Sequence, residues 1–200
     1  MPPLGEAALV AAVAYLAGSI PFGLVFTTLA GRGDIRRIGS GNIGATNVLR
    51  TGSKALAAAT LLCDIGKGAL AVLWARRYGG DMAALAAVAA VVGHMFPPWL
   101  RFNGGKGVAT AAGVLLVYVW PVGLASGVAW LVAVLATRYV SVAAIVAALL
   151  APVFAWLLTG AARPTETAAI IAILVILRHR SNVARLMRGE ESRLVLGRKS

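Results

Sequence analysis

Residues 40–50 read Ser-Gly-Asn-Ile-Gly-Ala-Thr-Asn-Val-Leu-Arg. Ser40, Asn42, Thr46 and Asn47 bring hydroxyls and carboxamides, and Arg50 brings a planar fork of donors that matches a phosphate. Two more polar islands follow in an otherwise apolar chain. In Gly104-Gly105-Lys106-Gly107, glycines let backbone amides turn toward an anion, and Lys106 adds a mobile point charge. A helix starting near Gly107 would aim its positive end at the same place. In the third island His179, Asn182 and Arg185 fall at i, i+3 and i+6, so a helix would show an imidazole, a carboxamide and a guanidinium on one face, and Glu190 follows after Gly189. These groups bind oxyanions and orient hydroxyls, which points to a phosphorylated ligand.

Each island has a plainer reading beside the chemical one. Thr46 or Asn47 would serve as a helix cap. The glycine loop would serve as a turn with a snorkelling Lys106, and it lacks the G-x-x-x-x-G-K-[ST] spacing of nucleotide loops. The third island would serve as an amphipathic tail on anionic lipid. Asp64 and Lys67, three residues apart inside an apolar run, read as an ion pair facing other helices, because unpaired charge in a bilayer is costly. Ser141, three residues after Arg138, could present a hydroxyl to the same cavity or cap a helix. His94, beside Pro97 and Pro98, reads as a turn anchor.

The elements that must hold these islands are membrane spans. Of the 200 residues, 60% are hydrophobic and 13% charged, with a mean hydropathy of +0.84, whereas soluble domains are about a quarter charged. Apolar segments run over 7–30, 55–75, 82–99, 107–120, 122–137, 139–159 and 166–178. The expected fold is therefore an all-α integral membrane protein of one domain, residues 1–200, with seven transmembrane helices, some of them short. The first stretch reads as a retained span: Glu6 precedes it, no basic residue does, and it is long for a signal sequence. Cys63, the single cysteine, reads as a small buried hydrophobe.

Seven spans put all three islands on one face. That face carries fifteen of the nineteen Lys and Arg residues, the opposite face only Arg76, Arg77 and Arg163, and Lys67 lies within a span. The positive-inside rule then places the islands and the C-terminus in the cytoplasm and the N-terminus outside. It also accounts for the net charge of +12 without nucleic acid as a partner. A single helix over 107–137, kinked at Pro121, would separate the second and third islands across the membrane. Splitting at Pro121 avoids this but leaves 107–120 only ~21 Å long, short of a ~30 Å hydrocarbon core. A short helix is tolerable where its end lines a cavity. The sequence holds no G-x-S-x-G elbow, no paired carboxylates on an island and no Cys/His metal cluster, so cofactors and metals are not expected.

The islands together resemble one family. Ser40-Gly41-Asn42-Ile43-Gly44-Ala45-Thr46-Asn47 with Arg50, Gly93-His94 with Pro97 through Gly104-Gly105-Lys106-Gly107-Val108-Ala109-Thr110, and His179-Arg180 with Asn182, Arg185 and Gly189-Glu190 are similar to the three motifs of the bacterial acyl-phosphate:glycerol-3-phosphate acyltransferases. All three occur in order over essentially the whole chain, and Val183 stands where Ile is usual. The resemblance implies a multi-pass protein of the bacterial inner membrane with a cytoplasm-facing site. It implies transfer of a fatty acyl group from acyl phosphate to the 1-hydroxyl of glycerol 3-phosphate, giving lysophosphatidic acid and phosphate at the start of phospholipid synthesis. Its partners would be the two substrates and membrane lipids.

An acyl phosphate is a mixed anhydride with a good leaving group, so the expected site holds two anions close together and needs no covalent acyl-enzyme or metal. Arg50, Ser40 and Asn42, with Thr46 and Asn47 beside them, are expected to hold glycerol 3-phosphate. Lys106 and the amides of Gly104, Gly105 and Gly107 are expected to hold a phosphate, that of the donor. His179 and Asn182, with Ser141, are expected to orient the attacking hydroxyl or stabilise the oxyanion. A transporter or channel for an organic phosphate is the competing reading. It would place its site near the midplane between repeated halves, and no repeat is evident.

Overall fold

The computed structural model describes residues 4–194, so Arg198 and Lys199 of the basic tail lie outside the described residues. Every regular element among the described residues is helical. The α-helices are α1 Leu4–Gly18, α2 Phe22–Leu29, α3 Ala45–Leu49, α4 Lys54–Ala75, α5 Gly80–Met95, α6 Val108–Tyr118, α7 Trp120–Thr137, α8 Val140–Thr159, α9 Ala162–Arg178 and α10 Arg180–Met187. The chain divides into two compact units, one through Tyr118 and one from Val119.

In the first unit α5 is central, packed by α1, α4 and α6, and 61% of its apolar window is buried. α1 and α5 approach closely enough that a Cβ on Gly18 would overlap the Ala90 backbone, and one on Gly93 the Tyr15 carbonyl. Such small-residue contacts let membrane helices pack without a hydrophobic drive between them. Their shared end is fastened by Tyr15 Oη to the Phe96 carbonyl and Trp99 Nε1 to the Ser19 carbonyl, both at 2.6 Å. The first apolar segment is broken between α1 and α2, where Pro21 has no N–H to continue a ladder. The short α6 is capped at its C-terminus by Arg76, whose guanidinium donates to the Val117 and Tyr118 carbonyls.

In the second unit α7 packs on α8 and α8 on α9. Both turns open on a left-handed residue, Arg138 (φ 63°) and Gly160 (φ 61°). The tail returns to the first of these turns through Leu194 N–H to the Arg138 carbonyl at 2.7 Å.

All seven expected apolar segments are helical. Five are long and apolar enough to cross a membrane: Leu4–Leu29, Lys54–Tyr78, Gly80–Leu100, Trp120–Thr137 and Val140–Thr159. α9 and α10 together make a sixth, bent by 53°, and α6 is shorter. The break expected at Pro121 falls at Val119 instead. Pro121 sits in the first turn of α7, where its missing N–H costs no helical bond. Cys63 is half-buried, rather than fully buried as its apolar surroundings suggested.

Candidate active site

The first island is a loop wound around one side chain. Asn47, fully buried, donates through Nδ2 to the carbonyls of Ile35 (3.0 Å), Ile38 (2.9 Å) and Asn42 (2.9 Å) and accepts from Ser40 N–H (3.1 Å) at Oδ1. Beneath it Ile35, Ile43, Val48, Ala57 and Leu100 form an apolar cluster that joins this loop to the turn before the second island. Asp34 caps the turn at 35–37, and the Arg36 guanidinium beside it holds its carboxyl at about 2. The expected helix cap is not found. α3 starts at Ala45 behind Gly44, and neither Thr46 nor Asn47 bonds its first turn.

Ser40, Thr46 and Arg50 stay exposed, and Asn42 half-buried. Among the described residues no carboxylate pairs with Arg50. Gly39 makes room for it: at φ 55°, a Cβ there would lie 2.7 Å from Arg50 Nη1 and 2.6 Å from Asn47 Oδ1. The loop thus presents one unpaired guanidinium beside two hydroxyls, while Asn47 is committed to holding the loop together.

The second island is docked on the end of α5. Gly104 N–H donates to the Met95 carbonyl (3.1 Å) and Gly105 N–H to the His94 carbonyl (3.0 Å). Those two amides were expected to face a phosphate. They serve the last carbonyls of α5 instead, which have no partner within the helix. The other donors at this place are Lys106, half-buried, and the first amides of α6, which starts at Val108 as expected. Gly107 enters α6 at φ 81°, a conformation open to glycine.

Under this loop lies a buried cluster whose connection the sequence did not show. Lys67 Nζ is 2.7 Å from Asp64 Oδ1, 2.9 Å from His94 Nδ1 and 2.8 Å from the Ile20 carbonyl. All three side chains are at least nine-tenths buried. Asp64 and Lys67 are the expected ion pair, and His94 proves to be their third member rather than only a turn anchor.

In the second unit the third island is built around Glu191. Asn182 Nδ2 donates to Glu191 Oε1 at 2.6 Å and Arg185 Nε to Glu191 Oε2 at 2.7 Å. Burial pushes the Glu191 carboxyl up, but Asn182, Ser141 and Arg185 together hold it below the ordinary value. Ser141 Oγ lies near this carboxylate without a hydrogen bond of normal geometry. It sits inside the first turn of α8, which starts at Val140, so it is not the helix cap. Glu190, the acid the motif seemed to offer, is exposed and paired with Arg188. His179 is buried at the α9–α10 bend, and its Nδ1 donates to the Val175 carbonyl at 2.7 Å. Two buried polar atoms in this unit stand without a partner near that carboxylate: Ser141 Oγ and Asn182 Oδ1.

The glycerol-3-phosphate acyltransferase family model matches residues 8–189. Among similar sequences, a glycerol-3-phosphate acyltransferase of Rhodospirillum rubrum is 55% identical over 191 residues, covering 90% of this chain and 87% of that protein. One of Gluconobacter oxydans is 54% identical over 195 residues, covering 93% and 92%. Among solved structures, the glycerol 3-phosphate form of PlsY (YgiH), an integral membrane glycerol 3-phosphate acyltransferase, is similar with a TM-score of 0.90 at 40% identity, covering 96% of each chain. Its lysophosphatidic acid form gives a TM-score of 0.87 at 40% identity, covering 94% and 95%. With its islands in order and its length matched nearly end to end, the chain belongs to the glycerol-3-phosphate acyltransferase family.

Proposed function

We propose that this protein transfers a fatty acyl group from acyl phosphate to the 1-hydroxyl of glycerol 3-phosphate, releasing phosphate and lysophosphatidic acid in the first acylation of phospholipid synthesis. It works in the bacterial inner membrane as seven spans, with the N-terminus outside and the islands facing the cytoplasm. The observation that carries the reading is the pair of buried, unpartnered atoms Ser141 Oγ and Asn182 Oδ1 in a chain of this family. Buried polar atoms are rarely left unpaired, and two hydroxyl-matching atoms suit an alcohol acceptor. Because Asn182 Nδ2 is fixed on a carboxylate, its Oδ1 is held as an acceptor.

In this mechanism Arg50 and Ser40, with Asn42 and Thr46 alongside, hold the phosphate of glycerol 3-phosphate, and Asn47 keeps their loop in shape. Lys106 and the start of α6 hold the donor phosphate. Asn182 Oδ1 accepts from the attacking 1-hydroxyl, and Ser141 completes its surroundings. His179, held by its Nδ1 on the Val175 carbonyl, orients the attacking hydroxyl or stabilises the oxyanion. The hydroxyl oxygen attacks the acyl carbon, the bond from that carbon to the phosphate oxygen breaks, and phosphate leaves. The hydroxyl proton passes to a substrate phosphate oxygen, which makes catalysis substrate-assisted. No covalent acyl-enzyme and no metal is needed, because the leaving group is already activated.

The test is to supply purified protein with acyl phosphate and glycerol 3-phosphate and follow phosphate release. Release that depends on both substrates, matched by lysophosphatidic acid, is expected. Release without glycerol 3-phosphate, or none, would sink the reading. Turnover with an acyl thioester in place of acyl phosphate would overturn the donor assignment alone.

A further inference from the structure

The buried cluster of Asp64, Lys67 and His94 has no part in the mechanism above, yet it touches the glycine loop. An ammonium has three protons and no acceptor. Lys67 donates to the Ile20 carbonyl and to His94 Nδ1 and forms an ion pair with Asp64 at 2.7 Å. A nitrogen that accepts from an ammonium carries no proton, so the proton of the His94 ring lies on Nε2. The Nε2 edge of the ring faces the glycine loop. A Cβ built on Gly105 would fall 2.8 Å from both ring carbons flanking Nε2 and closer still to Nε2 itself. Nε2 is therefore the ring atom nearest Gly105, in the space a larger residue would take. The main chain of His94 holds the same residue, since its carbonyl accepts Gly105 N–H at 3.0 Å.

We propose that Asp64 and Lys67 are positioning residues that lock His94 in the Nε2–H tautomer, and that the ring so locked holds the loop carrying Lys106 in the shape that receives a phosphate. The ion pair orients the ring, the ring braces Gly105, and Gly105 precedes Lys106. This rests on the reading of Lys106 as a phosphate ligand.

The chain contains two histidines, and they supply the contrast. His179 donates from Nδ1 to a carbonyl, so it is the opposite tautomer. In protein carrying ¹⁵N-labelled histidine, one ring of each tautomer is expected, assigned by the loss of one set in His94→Gln. A His94 ring that carries its proton on Nδ1 would overturn the proposal. Titrating inorganic phosphate should move the His94 Nε2 resonance in the parent protein and leave it unmoved in Lys106→Ala. A His94 resonance indifferent to phosphate in the parent would also overturn it. Neither readout uses turnover, so both stand even if the acyl donor is wrong.

Turnover gives a further arm. His94→Gln keeps an N–H toward Gly105, whereas His94→Asn keeps an acceptor for Lys67. If the loop is what the ring serves, His94→Asn raises the KM for acyl phosphate about tenfold more than His94→Gln, since small displacements of a binding group are costly. It does so with the KM for glycerol 3-phosphate unchanged and with equal thermal midpoints. The opposite order, or losses that track the thermal midpoint, would mean that the cluster only stabilises the fold.

Discussion

Arg50 is the most exposed of the cations assigned to a ligand, and among the described residues no carboxylate shares it. A charged hydrogen-bond pair contributes about 1.5–3 kcal/mol, so Arg50→Ala should raise the KM for glycerol 3-phosphate by roughly ten- to a hundredfold. Arg50→Lys keeps the charge and loses the fork, and should fall between. Steady-state kinetics with either substrate varied checks both. At His179 and Asn182 the pH–rate profile is the sharper probe. If a substrate phosphate takes the proton, alanine at either residue lowers turnover without removing an ionisation from the profile. An ionisation lost only in His179→Ala would establish a histidine base instead. Arg50, Lys106, His179 and Asn182 were singled out in the sequence by their types and their place in polar islands. Glu191 was not. Two acids stand together after Gly189, and only the turn there, with Glu190 N–H on the Arg185 carbonyl and Gly189 at φ 70°, decides which of them faces Asn182.

At the scale of elements, α6 is placed by contact with α4 rather than by its own length. A Cβ at Gly113 would overlap the Ile65 carbonyl and lie 2.8 Å from its carbon. Gly113→Ala should therefore cost about 1–3 kcal/mol, the usual toll of overpacking, seen as a lower thermal midpoint in detergent. The tail is held differently, by one carboxylate. The folded value of Glu191 lies below the ordinary 4.5, so its stabilisation is complete above that pH and is lost as pH falls through the lowered value. Glu191→Gln should lower stability by about 1–3 kcal/mol at neutral pH and remove the acid-side decline attributable to this group. A melting series over acidic pH distinguishes the two proteins. The apolar runs announced nearly every helix, because hydropathy reads burial in lipid directly. The caps and the two committed glycine amides did not show, because they depend on which chain end meets which carbonyl.

The whole molecule is organised by charge as much as by hydropathy. Arg76 and Arg77 follow α4, whereas Arg32, Arg36, Arg37 and Arg50 fall in the segment between α2 and α4. In a Cys63→Ala background, a membrane-impermeant thiol reagent should reach Arg77→Cys from outside intact cells and Ser181→Cys only in inverted vesicles. Labelling of both from the same side would refute the proposed topology. The same Lys67 that orients His94 also bears on how the chain is made. Its partners sit before α2, on α4 itself and on α5, which is translated last. A nascent chain that has emerged only as far as α4 carries an ammonium one acceptor short within its apolar segment, where such a charge is expensive. Insertion of α4 is therefore completed by the arrival of α5, and a ribosome stalled before His94 would leave α4 a poor lodger in the bilayer.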